Sequence, residues 1–292
     1  MLKYRDSSGF TLVEIAIVLL IVTILLGYSV AMLTVQQELK QYRQAQKEIT
    51  DIVSAVEAFA QVNGYLPCPA WADDLAAPTV SSNGFECRED GGALDCGGSD
   101  PTVDSCDVWF GFVPGKTLGL EGRYSPNTGL LLDPWGMPYR YQVSDSNTGS
   151  NPPLTDEDDF VMVGEMKDES IPNLVPDLVV CSADPSPGTA GPNDVRCASS
   201  QEVIIGAGGT TNCSDPGVSC APVVVFSTGK DKLGNVAANS WVQRENLDNT
   251  INDRVFVSTT ISTSGGSEFD DVVQWISPNV LYSKMIEAGQ LP

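Results

Sequence analysis

The first third of the chain is patterned in blocks. Leu12, Val13 and then Ile15 to Val35 are almost all apolar, softened by Thr23, Ser29 and Thr34, and between Arg5–Asp6 and Glu38 the sole charge is Glu14. At about 1.5 Å per residue such a run spans roughly 30 Å, the hydrocarbon thickness of a bilayer. The pattern predicts a membrane-crossing helix over residues 10–35. Lys3 and Arg5 stand before it, and basic residues ahead of a first span tend to stay in the cytoplasm, which sends the remainder outward. A cleaved secretory signal would be shorter and would end at a small-residue site, and no Ala-x-Ala follows this run.

Beyond the block the period changes. Val35, Leu39, Tyr42, Ala45, Ile49, Ile52, Val56 and Phe59 recur at spacings of three and four, with Gln, Lys and Glu filling much of the remainder. That is an amphipathic stripe, and no Pro interrupts it before Pro67. The helix is therefore expected to continue over 36–64 and to serve as the spine of a globular head. From 65 to 292 the pattern shortens into runs rich in β-branched and aromatic residues: Trp109–Val113, Tyr139–Val143, Phe160–Val163, Leu178–Val180, Val223–Ser227, Arg254–Thr260 and Val272–Ile276. Each is bounded by Gly, Pro, Asn or Asp, as strands are. Segments 72–107, 144–158 and 182–222 read as long surface loops. The expected class is α+β: a long amino-terminal helical stem packed on a β-rich head whose long loops are stapled by disulfides.

Glu14 is the costly residue. A carboxylate inside an apolar span needs a partner, because unpaired burial costs several kcal/mol.

The segment Gly9-Phe10-Thr11-Leu12-Val13-Glu14 and the apolar run after it resemble the type IV prepilin superfamily, which includes the pseudopilins of type II secretion. The resemblance implies a leader at 1–9, peptidase cleavage between Gly9 and Phe10, N-methylation of Phe10, and Glu14 as fifth residue of the mature chain. The amine so freed on Phe10 would lie one helical turn from Glu14 and could pair with it on the same chain or on a parallel neighbour displaced by about four residues, roughly 6 Å, so that Glu14 selects the register in which like helices stack. Many pilins carry a Pro further along this helix, where Ala31 stands here. In the head, Asn63-Gly64-Tyr65-Leu66-Pro67-Cys68-Pro69, Thr117-Leu118-Gly119-Leu120 and Asp133-Pro134-Trp135-Gly136-Met137-Pro138-Tyr139 look like parts of large prepilin-type proteins and of the major pseudopilin. Physically, Asp133-Pro134 and Gly136 make a tight turn that Trp135 and Tyr139 can anchor. Phe226 to Gly234 and Glu268 to Trp275 resemble that pseudopilin's closing region, where related proteins bind calcium. Calcium takes six to eight oxygens, and Asp231, Asp270 and Asp271 are the candidate ligands if the two loops meet. Lys232 and Leu233 interrupt the Gly-rich calcium loop, and solvated turn aspartates are the plainer account.

The chain holds 8 cysteines and no histidine. Cys68, Cys87, Cys96, Cys106, Cys181, Cys197, Cys213 and Cys220 all fall in the part expected to face an oxidising space, where an even set reads as disulfides. Nearness in sequence favours Cys181 with Cys197 and Cys213 with Cys220, and leaves pairing among the first four open. A cysteine metal site is disfavoured by the missing Cys-x-x-Cys and His. The lack of His also removes Ser-His-Asp and Cys-His chemistry. Thr155 to Asp159 is the densest acidic run and reads as a solvated turn; Gly206 to Gly209 lacks the rest of a dinucleotide fingerprint.

A net charge of −22 is ill suited to phosphate neutralisation, so no nucleic acid is expected. Taken with the resemblance, the residues imply a non-enzymatic, specialised or minor structural subunit of a type IV pilus or secretion pseudopilus. Its expected partners are other pilin or pseudopilin subunits, a prepilin peptidase and an inner-membrane assembly platform. It would begin as a single-pass inner-membrane precursor with a periplasmic head and pass into a periplasmic pseudopilus or surface pilus. An adhesin or ligand-binding module displayed on a filament is the second reading, and a membrane-anchored enzyme the third.

Overall fold

The computed structural model describes residues 11–89, 94–102, 104–144, 160–168, 218–230, 255–261 and 269–292, with shorter pieces at 171, 174, 176, 178–181, 186–187, 195–196 and 246. Contacts divide the chain into two compact units, Met1–Gln44 and Ala45–Pro292, and the division falls inside the first helix.

That helix, α1, runs Leu12–Asn63. Thr11 caps it: the Glu14 N–H donates to the Thr11 hydroxyl at 3.3 Å and to its carbonyl at 3.1 Å. Thr11-x-x-Glu14 is thus a capping-box sequence, and its carboxylate lies in the first turn, where the helix dipole favours negative charge. Among the described residues of the first unit the apolar side chains stand in the open, Leu12 at 87% exposed and Leu20 at 60%. No helix among the described residues is long and apolar enough to cross a membrane; the expected span 10–35 includes residues outside that description.

In the second unit the stripe of α1 becomes core. Ala45, Ile49, Ile52, Val56 and Ala60 are buried, as the spacing of three and four requires, whereas Leu39, on the other side of the division, is 51% exposed. This half of the helix covers one face of a four-stranded antiparallel sheet in the order β1 (Phe110–Phe112), β4 (Arg140–Val143), β9 (Val223–Ser227), β11 (Val272–Ile276). Gln274 of β11 meets Thr50 of α1, and the Tyr139 hydroxyl, just ahead of β4, donates to Glu48 Oε2 at 2.6 Å. Strand β9 is buried throughout, so it reads as a continuous apolar run and not as an alternation.

Alternation puts Phe110, Val224, Phe226, Val273 and Trp275 on the opposite face. There they pack with Leu178, Val180, Ala221 and Phe256 of a second sheet. Its order is β10 (Val255–Val257), β5 (Leu178–Cys181), β8 (Val218–Ala221), parallel at the first pairing and antiparallel at the second. Two small ladders, β2 (Arg123–Tyr124) with β3 (Leu131–Leu132) and β6 (Ser186–Pro187) with β7 (Val195–Arg196), and a one-turn α2 (Glu165–Asp168) complete the described elements up to the last helix. That helix, α3 (Pro278–Glu287), starts with Pro at its first turn and buries Leu281, Tyr282 and Met285. Lys284 pairs with Glu57 of α1 at 2.5 Å.

A helix on a β-rich head of mixed α and β content is the α+β arrangement expected. Two local expectations fail. Phe160–Val163 is a turn, because its carbonyls are taken singly by distant donors: Leu66 N–H to Phe160 and the Arg88 guanidinium to Val161. Segment 182–222, expected as loop, contains β6 and β7 and ends in β8, whose Val218 to Ala221 pair with the whole of β5.

Candidate functional site

Three places carry polar or charged groups that the apolar packing does not explain. The first is the start of α1. Glu14 sits one turn in, held at its backbone by Thr11, among Leu12, Val13, Ile15 and Ile17, all more than half exposed. Gly9 and Phe10, the expected cleavage pair, lie outside the described residues. An apolar helix surface this open calls for lipid or for other helices.

The second is the stapled region after α1. Disulfides join Cys68 to Cys106 and, nested inside that loop, Cys87 to Cys96. Cys220 is also bonded, and no cysteine among the described residues is free. The expected pairings Cys181 with Cys197 and Cys213 with Cys220 involve the Cys181, Cys197 and Cys213 side chains, which lie outside the described residues. Cys87, Cys96 and Asp107 cluster closely enough to hold a metal, yet the two sulfurs are consumed by their bridge and the Asp107 carboxylate accepts the Cys96 N–H at 2.8 Å.

Between the bridges lies Arg88, fully buried. Its guanidinium meets Glu86 at 3.0 Å, donates to the carbonyls of Asp104 and Val161 at 2.7 and 3.0 Å, and stacks 5.1 Å from the Tyr65 ring centre. Every face of the ion is engaged, which is what makes its burial tolerable. This is a structural clamp that sequence reading missed.

The third is the turn system at the end of the main sheet. Asp133 is almost wholly buried and organises its own loop, accepting Trp135 N–H at 2.9 Å and Met137 N–H at 2.8 Å on Oδ1, and the Ser227 hydroxyl at 2.6 Å on Oδ2. Gly136, at φ 90°, supplies the left-handed residue the turn needs. Burial pushes the Asp133 carboxyl above its ordinary pKa, and the hydrogen bonds from Ser227 and the turn amides oppose this. Tyr139 is buried as expected, its pKa raised by desolvation and then by the Glu48 carboxylate; Trp135 stays partly exposed.

The two carboxy-terminal loops do meet. Asp270 Oδ2 accepts the Lys230 N–H at 2.6 Å, and Gly229, at φ 67°, approaches Asp270 so closely that a Cβ there would lie 2.5 Å from the carboxylate carbon. Asp271 Oδ2 accepts from the buried Asn246 amide at 2.8 Å, and Asn246 also ties down both backbone groups of Val257. Both aspartates are thus employed in joining β9, β10 and β11. The Thr228 hydroxyl beside them is buried with no hydrogen-bond partner among the described residues. Asp231 lies outside the described residues, as do Thr155 to Asp159 and Gly206 to Gly209.

Residues 4–30 match the family model described as the prokaryotic N-terminal methylation motif, which takes in residues 4–9 of the expected leader, Gly9-Phe10, Glu14 and most of the apolar run. The chain carries a prepilin-type methylation segment. This agrees with the type IV prepilin and pseudopilin superfamily, and a prepilin-type segment implies processing by a prepilin peptidase and assembly with other pilin-like subunits. No curated protein and no solved structure matches the chain. The match ends at residue 30, so it speaks for the start of α1 and leaves the head to its own geometry.

Proposed function

We propose that the chain is a structural, non-enzymatic subunit of a type IV pilus or type II secretion pseudopilus, of a minor or specialised kind. The prepilin-type segment over residues 4–30 carries this reading, supported by the open apolar surface of α1 from Leu12 to Leu25. The helix over 10–35 holds the precursor in the inner membrane, and removal of 1–9 leaves a positive amine on Phe10 one turn from Glu14. Stacking of such helices, drawn up by an inner-membrane assembly platform, buries the apolar surface and satisfies the carboxylate in one register. The head, 65–292 by sequence and Ala45–Pro292 by contacts, is carried outward into the periplasm or onto the surface.

Mass spectrometry of protein recovered from sheared filaments tests this. A mature chain beginning at N-methylated Phe10 is expected, and a chain that keeps residues 1–9 in the membrane and never enters filaments would overturn it. Glu14→Ala should insert normally while failing to incorporate in order; ordinary incorporation would remove the register argument.

Calcium belongs to the same proposal. Asp270 and Asp271 are adjacent, and the Thr228 hydroxyl, without a partner among the described residues, offers a further hard oxygen, a donor set that suits this cation in part. Asp231 would complete it. Calorimetry of the full chain in detergent should show calcium-dependent heat and a raised melting temperature, both lost in Asp270→Asn; the absence of both in the native chain rejects the site.

A further inference from the structure

Two arginines of the head are well supplied. Arg88 has a carboxylate and two carbonyls, and Arg123 donates to the Asp133 carbonyl. Arg140, the first residue of β4, differs. Its guanidinium carbon lies 4.4 Å from the ring centre of Phe112 and 5.6 Å from that of Phe110, and among the described residues no hydrogen-bond acceptor or carboxylate engages it. It is partly buried, and desolvation lowers its pKa to about 10, so it is still a cation at neutral pH.

Register explains how the site is built. Arg140 stands opposite Phe112 on β1 and Phe226 on β9, and Phe110 follows two residues along β1, so three aromatic rings and the guanidinium share one face of the sheet. Ring faces offset part of the charge but offer no lone pair. Among the described residues the five N–H donors of the fork therefore go unmatched, which is expensive for a group held this close to an apolar layer. An arginine needed only for solubility would point its head into water, and one needed only for packing would be better replaced by Leu or Met.

We propose that Arg140, framed by Phe110 and Phe112, is a receptor for a carboxylate borne on an apolar or aromatic body. The fork matches a planar carboxylate bidentately, and the half-buried Phe110 ring accepts the group attached to it while the buried Phe112 backs the guanidinium. A doubly charged phosphate fits less well: one guanidinium offsets half its charge, and the chain around it carries −22. The carboxylate can come from a free small molecule or from an acidic side chain of an adjoining subunit. This receptor is built by the head alone and stands apart from the filament reading.

The test uses the full chain in detergent micelles. Sodium benzoate is titrated against sodium chloride of equal ionic strength while the melting temperature and the aromatic NMR signals are followed. Arg140→Gln is compared with Arg140→Lys, which keeps the charge and guards against a folding defect. Native protein should respond to benzoate with saturation, Arg140→Gln should lose the response, and Arg140→Lys should bind about tenfold more weakly, since an ammonium lacks the fork. In a second arm, Arg140→Lys is treated with a carbodiimide in a mixture of isotopically light and heavy chains. An amide joining Lys at 140 to an acidic residue of a differently labelled chain identifies the source as a neighbouring subunit, and benzoate binding without such an amide identifies a small-molecule site. Equal benzoate responses in native and Arg140→Gln protein, together with no intermolecular amide, overturn the proposal.

Discussion

Along α1, Ile17 and Leu20 are 54% and 60% exposed while Ile49 and Val56 are at 0%, although all four are aliphatic residues on the same helix. The difference lies in what each unit offers. From Ala45 onward the helix meets Tyr139, Gln274 and α3, and its stripe is used up within the chain. The earlier residues have apolar groups over a wide arc, and those whose side chains are described from Leu12 to Leu25 stand exposed. One half is folded against its own head; the other is a surface that awaits lipid or helices from elsewhere. A helix apolar all round is the mark of such an environment, while a stripe marks a globular core.

Substitutions can break or sharpen this contrast. Arg88→Met should have the largest effect, about 3–5 kcal/mol off head stability, because it leaves Glu86 and two carbonyls without their ion. Denaturant unfolding of the full chain in detergent measures it, and a loss below about 1 kcal/mol would mean the clamp is ornamental. Ile49→Ala should cost about 2–4 kcal/mol in the same assay. Leu20→Ala should leave head unfolding within about 0.5 kcal/mol of native. If the two alanine variants behaved alike, the halves would not be energetically distinct.

Asp133→Asn should change a slope more than a midpoint. Because burial raises the Asp133 pKa, the folded state holds this proton more tightly than the unfolded chain. Stability from the group is full below the ordinary carboxylate pKa and is lost as pH rises through the raised folded value. Asp73, Asp74 and Asp100 act in the opposite sense, their pKa values lowered chiefly by hydrogen bonds from Thr79, the Ala77 amide and Thr102. The difference between native and Asp133→Asn melting curves across acid pH isolates the one contribution, which should fall with rising pH. Thr11→Ala is the mildest change: loss of the cap should fray the first turn by about 1 kcal/mol, seen as faster amide exchange at Glu14 and Ile15 with head stability unaltered.

Much of this was legible in the chain because it rests on periodicity. The stripe from Ala45 to Val56 and the strands around Tyr141, Val225 and Gln274 follow from spacing alone. The first helical turn was legible for a different reason, a charge where charge is expensive. What escaped depends on groups distant in sequence. Nothing local marks Arg88 as buried, since its acceptors come from Asp104 and Val161. Asn246 matters through Val257 and Asp271. Helix α3 did leave a trace, Ser277-Pro278 ahead of Leu281, Tyr282 and Met285 at helical spacing, but it is short and its Pro reads as a breaker. Strand β8 was obscured by Pro222, which separates it from β9 and made the stretch resemble a loop.

The boundary between Gln44 and Ala45 bears on how the head can be obtained in isolation. A fragment started at Tyr65, where the sequence motifs of the head begin, would discard Ile49, Ile52, Val56 and Ala60 and with them one wall of the interior. Started just before Ala45, it keeps the wall and sheds the greasy rod, so limited proteolysis of the native chain should trim towards residue 44 and halt there.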